Sequence, residues 1–283
     1  MSQTLFKASD VTLWCPVGCD KIEVQSAVNV SHSIARQCLT DYWLCVVTGG
    51  SVQVHYQEGF YQLHPGDIAI YQTDTVLGMK PMSSTWSYHL LRVSPNMLHH
   101  YMPTHDIGSA YEQLGKTCEV PATSECYEAT LEMFEKFNRS RSGFKEHLRR
   151  FVVQLAGHLQ EVLLFSEPLG QDSVLVDHVK THMQTNYART VSYKELCTLN
   201  GSSKSHILRS FKKVVGVTPH LYQTSWRVKA AKGLLRSNVP IASVAVEVGF
   251  ADQPHFTRIF KRHVGVTPGQ YQQSLTNELH LAA

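Results

Sequence analysis

Two periods divide this chain. From Lys21 to about Val93 apolar and polar positions alternate in short runs, whereas after Pro121 apolar positions recur at the 3.6-residue spacing of a helix face. In the first part LCVVTGG (44–50), SVQVHYQEG (51–59), FYQLHPGD (60–67) and IAIYQ (68–72) predict strands joined by Gly-containing turns. The HPGD turn places Pro65 and Gly66 where the chain reverses and gives Asp67 a carboxylate able to bond the amides beyond it. Many short strands at this spacing predict a barrel or sandwich; the expected pairing is a small barrel whose mouth can hold a ligand.

The second part predicts helices. CYEATLEMFEKF (126–137) and FKEHLRRFVVQLAGHLQEVLLF (144–165) are amphipathic, with Arg141, Ser142 and Gly143 as the break. Leu148, Phe151, Val152, Leu155, Leu159, Val162 and Leu163 form a wide apolar stripe, suited to packing on its own domain or, in part, to a dimer seam. SEPLGQDS (166–173) reads as a linker. A helix from Val174 to Asn186 follows, and Ser192 with Glu195 forms a capping box for a helix that stops at Gly201. From Ser203 a basic helix begins, with Ile207, Phe211 and Val214 on an anchoring stripe and Ser205, Leu208, Arg209 and Lys212 away from it. Helix, short turn and basic helix is the arrangement that places a second helix in the DNA major groove.

That unit is written twice. Residues 204–222 (KSHILRSFKKVVGVTPHLY) and 253–271 (QPHFTRIFKRHVGVTPGQY) are identical at ten of nineteen positions, forty-nine residues apart. A repeat this sharp marks two copies of one supersecondary unit. In the second copy IASVAVEVGF (241–250) is the supporting helix, Gly249 supplies the turn and Asp252 caps a helix through about His263. Phe256, Ile259 and Phe260 face inward there; Gln253, Thr257, Arg258 and Lys261 face out. Arg209 and Arg258 suit the paired acceptors of guanine, or a brace within the turn, while Lys212, Lys213, Lys261 and Arg262 suit phosphates. Between the copies, residues 219–238 predict a helix on which Trp226, Ala230, Leu234 and Leu235 form a stripe. About nineteen residues at ~1.5 Å each span ~28 Å, against ~34 Å for one turn of B-DNA.

Charge follows the same division. Residues 174–283 carry 14 Lys/Arg against 5 Asp/Glu, a net of +9, while residues 1–173 carry 12 against 18, a net of −6. One half is built to meet phosphate and the other is not. No run of eighteen apolar residues or secretory leader is read, and the seven scattered cysteines fit free thiols in a reducing cytoplasm. Cys15 and Cys19 have permissible zinc spacing but no matching second pair, and His32, His55, His64 and His89 form no HxH pair, so neither a metal nor a catalytic site is expected. Arg36, the only arginine before Arg92, could line a pocket with Trp43 and Tyr88 for an anionic or aromatic effector; a surface arginine above core aromatics is the alternative.

The stretch from Val191 to Tyr271, above all VAVEVGFADQPHFTRIFKRHVGVTPGQY, resembles the signature of the AraC/XylS family of bacterial transcription regulators. Residues 20–165 resemble that family's cupin-like sensing domain. The resemblance implies an α+β chain of two domains: a cupin-like β-barrel with flanking helices (1–166), a linker (167–173), and an all-α domain of two helix-turn-helix units joined by a linker helix (174–283). It places DNA contacts on Ser205, Leu208 and Arg209 in the first unit and on Gln253, Thr257 and Arg258 in the second. Asn200 and Ser202 stand where the first unit usually has apolar residues, and Leu208 where a polar contact is common. The function implied is a cytoplasmic, sequence-specific regulator, more an activator than a repressor, with promoter DNA, RNA polymerase, a small effector and a second copy of the chain as partners. It implies no cofactor. A cupin enzyme fused to a DNA-binding tail, and a regulator controlled by a protein partner, are the competing classes.

Overall fold

The structure is a computed structural model that describes residues 11–14, 22–56, 59–71, 73–95, 118–120, 130–135 and 173–279. The helix at 144–165, the break at 141–143, Cys15 and Cys19 therefore lie outside the described residues, and of the helix at 126–137 residues 130–135 are described and are helical.

The alternating region forms two antiparallel sheets. One orders β1 (Val11–Trp14), β2 (Ile22–Val30), β9 (Trp86–Val93), β4 (Tyr42–Gly49), β7 (Ile68–Tyr71) and β10 (Cys118–Val120). The other orders β3 (Ile34–Cys38), β8 (Val76–Pro81), β5 (Val52–Tyr56) and β6 (Gly59–Leu63). No described strand belongs to both sheets, so the expected barrel is an open, cupin-like pair of facing sheets. At the predicted HPGD turn Asp67 accepts from the His64 amide at 2.6 Å, behind it rather than beyond it. β2 breaks the period of two: Ile22 to Ala27 are buried without interruption. A strand loses its alternation when both faces are covered, and β2 has apolar residues of its own sheet domain on one side and helices on the other.

Those helices are α1 (Ser173–Thr185), α2 (Tyr193–Asn200), α3 (Lys204–Val215), α4 (Pro219–Arg236), α5 (Ile241–Glu247), α6 (Gln253–Val264) and α7 (Pro268–Leu279). Ser192 caps α2 by accepting from the Glu195 amide, and the Glu195 carboxylate turns to Arg189 and His182. In α3 the buried stripe is Ile207, Phe211 and Val215; Val214, expected to anchor it, is exposed. Both residues lie within reach of a period of 3.6, and the sheet side of the molecule takes the second. Of the stripe predicted on α4 only Leu235 is buried; Trp226, Ala230 and Leu234 are half-buried, and the buried surface takes in Gln223, Arg227, Val228, Ala231 and Lys232 instead, because both helical units and the sheet domain pack around the helix.

Two apolar clusters run across the boundary between sheets and helices. One joins the sheet interior to Val228 and Ala231 of α4 and to Phe256, Phe260 and Tyr271 of the second helical unit. The other joins Cys38 and Val76 to Val179, Leu196, Ile207 and Phe211 of the first. Each helical unit thus has part of its core supplied by the sheet domain.

Candidate nucleic-acid interface and its coupling to the sheet domain

α3 and α6 are built alike. Each starts on a side-chain cap, Ser203 accepting from the His206 amide at 3.3 Å and Asp252 from the His255 amide at 2.7 Å. Each ends at a left-handed glycine, Gly216 and Gly265. Ser205, Arg209, Lys212 and Lys213 are exposed on α3, as are Gln253, Arg258, Lys261 and Arg262 on α6; Leu208 and Thr257 are half-buried. The two arginines differ. Arg209 donates from Nε to the Ser205 carbonyl of its own helix at 3.3 Å, while Arg258 has no hydrogen-bond partner among the described residues. A guanidinium with unspent donors on an exposed helix face keeps its full fork for a partner.

The opposite ends of both helices rest on one strand. Arg36 Nη2 donates to the Gly216 carbonyl at the end of α3 at 2.7 Å, and Gln37 Nε2 donates to the His263 carbonyl at the end of α6 at 3.1 Å. Consecutive residues of β3 thus grip the ends of the two basic helices, Arg36 that of α3 and Gln37 that of α6. A cation at a helix C-terminus is also favoured by the helix dipole. The residues expected to form a ligand pocket have separate partners: Arg36 holds Gly216, Trp43 lies 4.7 Å beneath Arg92, and Tyr88 stacks on Trp86 and accepts from Gln25 at 2.9 Å.

The strongest polar contact between sheets and helices involves residues that sequence reasoning passed over. Glu23 of β2 is 3% exposed. Its Oε2 accepts from Lys232 at 2.7 Å and faces Arg92 at 3.5 Å; its Oε1 accepts from Arg236 at 2.6 Å and the Tyr271 hydroxyl at 2.7 Å. Burial pushes the Glu23 carboxyl up, but the charges of Lys232, Arg236 and Arg92 outweigh it and hold the group well below the usual carboxylate range. Around this centre Lys229 reaches the Thr40 carbonyl at 3.0 Å, Lys180 pairs with Asp74 at 3.2 Å, and the Tyr222 hydroxyl donates to Asp74 at 3.2 Å. A glutamate beside Ile22 and Val24 in a strand, and a Lys232/Arg236 pair one turn apart on a central helix, were the available signals.

His263 adds a titration. Its Nδ1 bonds the Ile259 carbonyl at 2.9 Å, its Nε2 is buried without a partner, and burial lowers its pKa to about 4. The proton therefore prefers the unfolded chain, whose imidazole titrates near 6.5. The stabilisation is complete above that pH and is lost as pH falls towards 4. His263→Gln should flatten the loss of denaturation midpoint between pH 6.5 and 4.5; an unchanged pH profile would show that His263 does not carry it.

Among the described residues no three His, Cys, Asp or Glu side chains stand together as a metal site, and no helix is long and apolar enough to cross a membrane. Cys38 and Cys45 are buried free thiols, the latter pushed up by burial to about 12. Paired basic helices on one helical domain, clasped by a double-sheet domain, define a two-domain DNA-binding transcription regulator with an effector-type N-terminal module. Residues 196–274 match the helix-turn-helix domain family and residues 21–151 the AraC-like ligand-binding domain family. The chain belongs to the AraC family of transcription regulators. It is 29% identical to the HTH-type transcriptional regulator YbfI of Bacillus subtilis over 228 residues, covering 75% of this chain and 78% of that one. It is 22% identical to the lactose operon transcription activator of Staphylococcus xylosus, over 74% of this chain and 75% of that one. Its fold is similar to that of a point variant of apo ToxT from Vibrio cholerae, at a TM-score of 0.60 and 14% identity over 90% of this chain and 98% of that one. Unsaturated fatty acid-bound ToxT from the same organism gives a TM-score of 0.58 at 12% identity, over 98% and 99%.

Proposed function

We propose that this regulator activates transcription by placing α3 and α6 in successive major grooves of promoter DNA. The observation that carries this reading is the pairing of two like-built helices, each with an exposed basic face, on the single 18-residue helix α4. At ~1.5 Å per residue α4 spans ~27 Å, close to the ~34 Å repeat of B-DNA. Arg258, with Gln253 and Thr257, reads bases from α6; Ser205, Leu208 and Arg209 do so from α3. Lys212, Lys213, Lys261 and Arg262 bind phosphates. The bond from Arg209 to its own helix favours the second unit as the stronger reader.

The domains fall at 1–166 and 174–283 with a linker at 167–173, and the protein acts in the cytoplasm as a homodimer that touches RNA polymerase. β3 couples sensing to DNA binding: any effector that shifts the sheets moves Arg36 and Gln37 and so changes the relation between the two reading helices. Such a ligand shifts the equilibrium only by its preference for one arrangement.

The test is Arg258→Ala, measured by fluorescence anisotropy on promoter DNA and on random duplex. Specific binding should weaken by about 1–3 kcal/mol with little change on random DNA. Equal weakening on both would make Arg258 a phosphate contact, and no change on either would remove α6 from the interface.

A further inference from the structure

We infer that the turn between β2 and β3, residues 29–33, is a contact site on the sheet domain for the phosphate backbone of DNA. This goes beyond the placement of α6 in a major groove and rests on it. The turn and α6 border one cleft of about 660 Å³. Arg258, Lys261 and Arg262 line it from α6, and Asn29, Ser31 and Ser33 line it from the turn. Helix positions three and four apart are neighbours, so the three cations share one flank. The proximity is felt by His32, whose pKa is lowered by burial and then by the charge of Lys261.

Size decides what lies along that flank. An α-helix with its side chains is about 10–12 Å across, and the major groove is about 12 Å wide. A helix seated there fills the groove, with its first residues on the bases and its flanks against the phosphate walls. Arg258 reaches the bases, while Lys261 and Arg262, in the last turn of α6, meet a wall. The segment that borders them across the cleft meets the same wall. All six of these lining residues are exposed, so the cleft is an open trough. A small-molecule site buries most of its ligand, whereas a trough suits a polymer running through it.

The turn is held in place. Trp86 Nε1 donates to the His32 carbonyl at 3.0 Å, the Asn29 amide donates to Ser87 Oγ at 2.9 Å, and His32 Nε2 lies 3.1 Å from the Tyr88 hydroxyl. The side chains of Asn29, Ser31 and Ser33 have no hydrogen-bond partner among the described residues. Serine and asparagine side chains are regular donors to phosphate oxygens, and an anchored turn loses little freedom on contact. A segment that masked the basic flank would instead offer it carboxylates, and residues 28–35 contain no Asp or Glu.

The experiment uses the full chain and fluorescence anisotropy on two duplexes, one of random sequence and one selected from a random pool by the chain itself, from about 50 to 200 mM KCl. Ser31→Lys should tighten binding to both by about threefold or more and steepen the slope of log K against log salt by about 0.9. Ser31→Glu and Ser33→Glu should weaken both duplexes by a similar factor, because phosphate contacts carry no sequence information. Gln62→Lys, exposed on β6 at the opposite edge of the same sheet, should leave affinity and slope at the parental level. Turn variants without effect, or an equal gain from Gln62→Lys, overturn the proposal. So does tighter binding by the double variant Ser31→Ala, Ser33→Ala, which would show that the turn obstructs DNA. A parent that binds neither duplex sinks the regulator reading together with this site; a parent that binds both, with turn variants at its own level, counts against this site alone.

Discussion

Glu23→Leu is expected to destabilise the chain by about 3–5 kcal/mol, the usual consequence of removing one member of a buried charge group. The carboxylate is the shared acceptor of Lys232, Arg236 and the Tyr271 hydroxyl and the near neighbour of Arg92. Without it these cations face one another in a site where burial already lowers the pKa of Lys232. Glu23→Gln keeps an acceptor of the same shape and should cost less. Adding Lys232→Met to Glu23→Leu should restore part of the loss, since apolar replacements of a whole buried ion pair are often neutral or better. Urea denaturation of these three variants and of Lys232→Met alone, followed by tryptophan fluorescence, completes the cycle. A Glu23→Leu cost below about 1 kcal/mol, typical of an exposed pair, would show that the cluster opens to water. The pH dependence separates this group from His263. The folded pKa of Glu23 is depressed, so its contribution is present above the ordinary carboxylate pKa and disappears only as pH falls through a value well below it. Loss of stability between pH 6.5 and 4.5 belongs to the histidines whose pKa values burial lowers, His263 together with His32, His89 and His220, and the Glu23 variants should keep it.

The helical half was the more legible because its signals are local. A nineteen-residue repeat, caps at Ser192, Ser203 and Asp252, and turn glycines at Gly201 and Gly249 each specify backbone geometry within a few residues. The exposed basic faces of α3 and α6 followed from the same periodicity, but Val214, expected inside, is exposed, and Leu208 and Thr257, expected outside, are half-buried. The sheet domain announced its strands but not its closure, because which strand pairs with which is a non-local property. The pocket expected around Arg36, Trp43 and Tyr88 rested on residue type alone. Arg36 donates from Nη2 to the carbonyl of Gly216, 180 residues away in sequence. The same distance hid Glu23, whose partners lie on β9, α4 and α7. A polar residue in a buried strand points to a partner without saying where in the chain it lies.

Gly249→Ala should destabilise by more than about 3 kcal/mol, whereas Gly201→Ala, at the turn of the other unit, should cost only about 1–2 kcal/mol. Both glycines have positive φ, +59° at Gly201 and +88° at Gly249, so both substitutions carry the left-handed penalty. They differ in what a methyl group meets. At Gly201 nothing lies within 4 Å, but at Gly249 a Cβ would sit 1.9 Å from the carbonyl oxygen of Ala188 and 2.7 Å from its carbon. That carbonyl cannot swing aside. Its neighbours are fastened to α4: Gln223 donates to the carbonyls of Asn186 and Arg189 at 3.0 and 2.9 Å, and Arg227 donates to that of Tyr187 at 2.7 Å. Relief of the clash must therefore break those bonds or drive the α5–α6 turn outward, and α6 carries Arg258. Both glycine variants are compared for denaturation midpoint and for affinity on promoter DNA. Gly249→Ala should lose stability and specific binding together, while Gly201→Ala binds near the parental level. Equal costs at the two glycines would mean that the segment around Ala188 yields, and that the two reading units are not held in register there.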